Sequence, residues 1–371
     1  MAKFLVDRKA LVDALGAACM VIDKQSSIPA LRQALLTFNG EVALTATDLE
    51  TTVEIRLPRK SGKAAGAVAL PACLLTGYAR QSDAPDVAFE VEGVKAKLDD
   101  DMTVVGCDPK DFPATPKPDG EVYGSIDAAE LAKGLRAVMF AASQEVTRYS
   151  LQGVLVDFRK DRVSIVASDG KVLAWQDAAS GKTKHKGRLL ILPAAVALLE
   201  RLAAQAADGT VHMRAVRGDE KKGDNAAGMG TFELPSATMF SRLIQDRFPD
   251  YEAVMPVTDQ SVTFDAKALR KALMQVRLAT TDRTRAVKFR LDGGKCRLKA
   301  KTEDVGEAFV DVSALGKASA EFVLSPDYVL DYLKAAPSDR VKLSVKDRES
   351  GVLWEGPEGH KFVQMPLKVN L

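Results

Sequence analysis

What this sequence lacks narrows its function before any motif is considered. No apolar run approaches the roughly 20 residues that cross a bilayer. The opening MAKFLVDRKALVDAL alternates charge with apolar side chains and has no continuous apolar stretch of the kind that directs export. Both absences point to a chain kept in the cytoplasm, with no membrane partner. Cys19, Cys73, Cys107 and Cys296 form no C-x-x-C pair, so reduced thiols are expected, and neither a zinc site nor a disulfide framework. His185, His212 and His360 stand in unrelated contexts and offer no cluster for a metal or a general base. G-x-S-x-G, P-loop, H-E-x-x-H and Rossmann fingerprints are all missing. The expectation is a protein with no catalytic residues, no cofactor and no bound metal. Aromatic residues make up 6%, few for a platform that stacks single-stranded bases. The net charge is +2, so any attraction for nucleic acid must come from one basic surface and not from the bulk balance.

What the chain does contain is a threefold repeat. Its 371 residues exceed what one core usually supports. Phe4–Leu11, Ser125–Leu131 and Thr263–Leu269 each read as a short β-like run, an aspartate (Asp7, Asp127, Asp265) in an N-cap position, and the start of an apolar helix pattern. The helices carry Leu11, Leu15, Ala18 and Ile22; Leu131, Leu135, Val138 and Ala142; and Leu269, Leu273 and Val276, one buried stripe each. A second helix follows a strand-like run in each unit, announced by Pro71, Pro193 and Pro326 in a first helical turn. The stripes here are Leu74, Leu75 and Tyr78; Val196, Leu199 and Leu202; and Val329, Tyr332 and Leu333. Short β-branched runs such as 42–45, 52–57, 154–157, 164–167, 287–291 and 309–312 fill the intervals. The fold class is therefore α+β: three similar domains, each with two helices packed on antiparallel sheets. Proline-rich junctions place the domains at 1–121, 122–256 and 257–371, and 217–230 reads as a Gly- and Lys-rich surface loop.

Several phrases carry a more specific signal: Ala46-Thr47-Asp48-Leu49-Glu50, Arg148 to Gly153, Val166-Ala167-Ser168-Asp169-Gly170, Arg247-Phe248-Pro249-Asp250-Tyr251, and the ending Phe362 to Leu367. In this order and over the whole chain, the sequence resembles the β subunit of bacterial DNA polymerase III, the sliding-clamp family. The resemblance implies the DNA clamp fold, closed head to tail by a homodimer into a ring around double-stranded DNA. It implies as partners the polymerase III catalytic subunit, the clamp loader, and other clamp-binding polymerases and repair proteins.

Lys and Arg on the polar helix faces suit a sliding ring, because phosphate contacts attract duplex DNA without fixing a register. The candidates are Lys133 and Arg136 on the third helix, Lys267, Arg270 and Lys271 on the fifth, and Arg201 on the fourth. Read singly, these are solvated helix faces; the repeat turns them toward one common surface. The resemblance adds Lys24, Gln25, Arg148 and Tyr149. It also implies a groove that docks partner peptides through apolar anchors, formed by Leu151, Ser168, Gly170, Lys171, Leu173, Pro249, Val254, Ser325, Tyr328, Val363, Met365, Pro366 and Leu367. Lys171-Val172 stands where the family often has His-Arg, and Ala253 where it has arginine, which points to an altered peptide preference. The resemblance also implies ring closure through Met102 and Val104 on an edge strand, facing Leu278 of the other subunit. Two other readings stay open: a clamp paralogue or phage-type clamp, and a metal-dependent nucleic-acid enzyme using Asp48, Glu50 or Asp169. Matching positions in two repeats favour a turn role for those carboxylates.

Overall fold

The computed structural model describes residues 2–62, 64–99, 101–143, 145, 151–216, 228–258, 260–281, 285–303 and 305–369. Among them are six α-helices: α1 (Arg8–Val21), α2 (Ala72–Gln81), α3 (Ala128–Val138), α4 (Pro193–Gln205), α5 (Ala266–Arg277) and α6 (Pro326–Ala335). Each falls where the repeat places it. Asp7 caps α1 by accepting from the Ala10 N–H at 2.8 Å, and Asp265 caps α5 by accepting from Ala268 at 2.7 Å. Pro193 and Pro326 open α4 and α6, whereas Pro71 stands one position earlier, as the residue preceding α2. The stripes of α1, α4, α5 and α6 are buried as expected. Three positions differ. On α2 Leu74 is exposed and Tyr78 only half-buried, with Ala72, Thr76 and Ala79 joining Leu75 inside, and Ala142 lies beyond the end of α3, where Ala141 takes the core position.

The chain forms two compact units. One comprises Met1–Ala132 with Ser180–Gln245; the other comprises Lys133–Ala179 with Asp246–Leu371. The segment 122–256 is thus divided between them, and the strand pairing shows why. In the first unit a sheet runs in the order Lys182–Thr183, Glu121–Asp127, Thr210–Ala215, Met229–Glu233, Ala237–Arg242, Thr51–Leu57, Glu41–Thr47, Gln33–Asn39, Ala67–Pro71. Its hydrogen bonds pass without a break across position 121, through Met239 opposite Val53. A second sheet there has the order Arg59–Ser61, Ala2–Asp7, Asp86–Glu92, Lys95–Leu98, Met102–Val105.

The second unit repeats the device. Val154–Phe158, Val163–Ser168 and Val172–Ala178 continue into Lys361–Gln364, Val352–Glu355, Arg340–Ser344, Ser261–Asp265, Gly306–Gly316, Lys295–Thr302, Val287–Asp292 and Ala320–Leu324. All of these pairings are antiparallel, and the helices bury their apolar stripes on the sheet faces. Close approach is built in at Gly134 of α3, where a Cβ would lie 2.4 Å from Ile165 Cδ1.

Candidate functional site

The strand register of the second unit builds an apolar cavity of about 220 Å³. Leu173 lies directly opposite Val363, and the Met365 N–H donates to the Lys171 carbonyl at 2.9 Å, so the end of the chain is held along the strand Val172–Ala178. Leu151, Val172, Leu173, Phe248, Tyr251 and Val363 supply buried surface, while Val254 and Met365 stand half-exposed at the rim. Such a site, a concave apolar floor with adaptable methionine at its mouth, accepts short apolar anchors.

One wall is a tight turn. Ser168 Oγ accepts from the Gly170 N–H at 3.1 Å and donates to the Val172 carbonyl at 2.7 Å. Asp169 Oδ1 accepts from the Lys171 and Val172 N–H groups at 2.7 and 2.8 Å, and Gly170 adopts φ 85°. The first unit carries the same turn at Thr47, Asp48 and Leu49: Asp48 Oδ1 accepts from Glu50 and Thr51 at 2.9 and 2.6 Å, and Leu49 has φ 76°. These aspartates serve the main chain. Among the described residues no group of three or more His, Cys, Asp or Glu is placed to hold a metal.

Nine of the thirteen expected groove residues line this cavity: Leu151, Ser168, Gly170, Lys171, Leu173, Pro249, Val254, Val363 and Met365. The other four do not. Ser325 is buried at the start of α6, where its carbonyl accepts from Gln364 Nε2 at 3.1 Å. Tyr328 reaches the same turn, donating to Asp169 Oδ2 at 2.6 Å, and burial followed by that carboxylate pushes its pKa well above the usual value. Pro366 and Leu367 lie in a second depression of about 410 Å³ with Phe322, Val323 and Arg348, because the Leu367 N–H donates to the Val323 carbonyl at 2.8 Å. Sequence reasoning did not assign Val172, Phe248, Asp250 and Tyr251 to the groove. The last three belong to the phrase Arg247 to Tyr251, which was the available signal.

The basic candidates separate by environment. Lys267, Arg270 and Lys271 are exposed along one face of α5, where they share a shallow depression of about 510 Å³ with Met274, Gln275 and Leu278. Lys133 is exposed and pairs with the Glu358 carboxylate; Arg136, one turn on, is also exposed. Lys24 and Gln25 are exposed after α1, the Gln25 N–H held by Asp23 at 2.9 Å. Arg201 departs from expectation. Its guanidinium lies over α1 against Gly16 and donates to the Asp13 carbonyl at 3.4 Å, which makes it a helix-packing residue and not part of an open basic face. Arg148 and Tyr149 lie outside the described residues.

Met102–Val105 is the last strand of its sheet, as expected, but Val104 is 2% exposed and turned into the core while its neighbour Val105 is 57% exposed. Val104 therefore leaves only main-chain groups for pairing at that edge. Leu278, just past α5, is 78% exposed beside the half-exposed Met274.

Residues 2–116, 125–250 and 253–370 match, in order, the N-terminal, central and C-terminal domains of the DNA polymerase III beta subunit. The chain belongs to this family. The beta sliding clamp of Pseudomonas putida is 25% identical over 99% of this chain and 100% of its own length. That of Caulobacter vibrioides is 27% identical, over 99% and 100%. The fold matches the Pseudomonas aeruginosa sliding clamp bound to griselimycin with a TM-score of 0.90 at 24% identity, covering 99% of this chain and 100% of that one. It matches the Bartonella birtlesii sliding clamp bound to griselimycin with 0.86 at 25%, over 99% and 100%. The three matched stretches of this clamp-family chain follow the sequence repeat, while its continuous sheets join each stretch to the next.

Proposed function

We propose that two copies of this chain close head to tail into a ring around double-stranded DNA and hold replication proteins there through the groove on the second unit. The observation that carries this reading is the groove itself: one apolar cavity gathers nine of the expected residues from four separate stretches of sequence. In this role the protein acts without catalysis and without a cofactor, in the cytoplasm. Its three domains are 1–121, 122–256 and 257–371.

Duplex DNA is attracted by the exposed cations of α3 and α5 and by the Lys24-Gln25 loop, without base contacts that would stall sliding. Ring closure pairs the edge strand Met102–Val105 with a surface of the other subunit that includes Leu278; two such unlike contacts close a dimer. The polymerase III catalytic subunit, the clamp loader and other clamp-binding polymerases and repair proteins dock by apolar peptide segments, and Lys171 and Ala253 at the groove shift the preference among them.

Retention on DNA tests the ring. The protein should stay on nicked circular plasmid and run off the same plasmid after linearisation, and light scattering should give the mass of a dimer. Leu278→Asp should give monomers that no longer distinguish the two plasmids. Griselimycin tests the groove: wild type should bind it and Met365→Glu should not. Equal escape from both plasmids, or griselimycin binding indifferent to Met365, overturns the corresponding half of the reading.

A further inference from the structure

We propose that Glu252 is a positioning residue for peptide docking, its carboxylate joining Arg159 and Arg162 so that the groove wall 249–254 is held in its binding shape. The inference rests on the groove reading above. The wall is neither strand nor helix, yet it supplies Pro249, Asp250, Tyr251 and Val254 to the cavity. A segment of that kind needs side-chain anchors to keep one shape, because no ladder of main-chain hydrogen bonds does so.

The anchors are present and converge on two neighbouring residues. Arg159 Nη1 donates to Glu252 Oε2 at 2.7 Å, and Arg162 Nη2 donates to Glu252 Oε1. Arg159 Nε donates to Asp157 Oδ2 at 2.9 Å, and the Tyr251 hydroxyl donates to the same oxygen at 2.8 Å. The rings are clasped as well. The Arg159 guanidinium lies 5.3 Å from the Tyr251 ring centre and that of Arg162 lies 5.3 Å from Trp175, while Lys361 Nζ sits 4.4 Å from Trp175. Tyr251 and Trp175 meet edge to face at 4.9 Å. Burial raises the acid of Glu252, but the two guanidiniums outweigh it and the net pKa is lowered, so the carboxylate stays charged at neutral pH.

Trp175 is two residues from Leu173 on the same strand, and Lys361 is two residues from Val363 on its neighbour. One cluster thereby ties the wall to the two strands that make the floor. Glu252 does not itself line the cavity. Its effect on binding runs through the fraction of molecules whose wall is in place, which multiplies the apparent affinity.

Griselimycin binding to the full-length protein, followed by stopped-flow fluorescence beside thermal unfolding, separates this role from general stability. Glu252→Gln is expected to raise Kd about ten-fold through slower apparent association, with the dissociation rate within about two-fold of wild type. Arg162→Gln should do the same, and it keeps the test alive if the first variant folds poorly. The double variant should lose less than the sum of the two single losses, since both break the shared Glu252–Arg162 pair. Wild-type association in both variants, or losses that add in the double variant, overturns the assignment of Glu252 while leaving the groove intact. A wild-type protein that does not bind griselimycin overturns the groove reading and this inference with it.

Discussion

The Tyr328 hydroxyl and the Asp169 carboxylate meet at 2.6 Å, which ties the first turn of α6 to the turn whose Gly170 lines the groove. Asp169 uses its other oxygen for the main chain of that turn, so one side chain is read from two directions. Tyr328→Phe removes only the hydroxyl. The expected cost is about 1.5–3 kcal/mol of stability, as for a hydrogen bond to a charged acceptor. Griselimycin affinity should fall as the turn loosens, which calorimetry of the two proteins checks directly.

Leu49 is the counterpart of Gly170 in the first unit, and it holds φ 76° with a side chain 52% exposed. A left-handed conformation costs a non-glycine residue about 1–2 kcal/mol, against about 0.5–1 kcal/mol of extra chain entropy lost by glycine. Leu49→Gly is therefore expected to stabilise the protein by about 0.5 kcal/mol. A urea midpoint that moves downward would show that the leucine contributes contacts outweighing its strain.

His360 is buried against Tyr332, with ring centres 5.1 Å apart, and burial lowers its pKa to about 4. The unfolded chain, with an ordinary histidine near 6.5, binds the proton more readily than the folded one. Stability from this group is complete above pH 6.5 and is lost as pH falls from 6.5 to 4. The loss approaches about 3 kcal/mol. His360→Phe should flatten the unfolding free energy over that interval, measured by denaturant titration at several pH values.

The exposed cations of α5 make a prediction that Arg201 does not share. Replacing Lys267, Arg270 and Lys271 together by glutamine should weaken binding to short duplexes and lower the slope of log K against log salt by roughly 0.9 per lost phosphate contact, up to about 2.7. Arg201→Ala should leave that slope unchanged and lower the thermal midpoint, because its guanidinium packs on Gly16 and Asp13.

The repeat made the helices legible. Aspartate caps and leucine spacing are local signals, and α1, α3 and α5 begin where Asp7, Asp127 and Asp265 announce them. Strands rich in β-branched residues were equally plain, as with Thr51–Leu57 and Val163–Ser168. Direction of side chains across a sheet edge was not. Val104 and Val105 are chemically alike, and only the register of the last strand decides which of them is buried. The groove was legible as a set of phrases, but not which of its members line one cavity: Leu367 bonds to the Val323 carbonyl and Tyr328 to the Asp169 carboxylate, contacts with no local signal in sequence. Arg201 looked like a free cation for the same reason: its partner, a main-chain carbonyl on another helix, leaves no trace in sequence.

The strand Ala237–Arg242 is hydrogen-bonded to Thr51–Leu57, and Lys361–Gln364 to Val172–Ala178. Cutting the gene at either proline-rich junction would therefore sever ladders, not linkers. Each fragment would present a raw, adhesive margin of unsatisfied amides. Shortened forms should clump or cross-pair, whereas co-expressed halves divided at those same points have matching margins and should find each other.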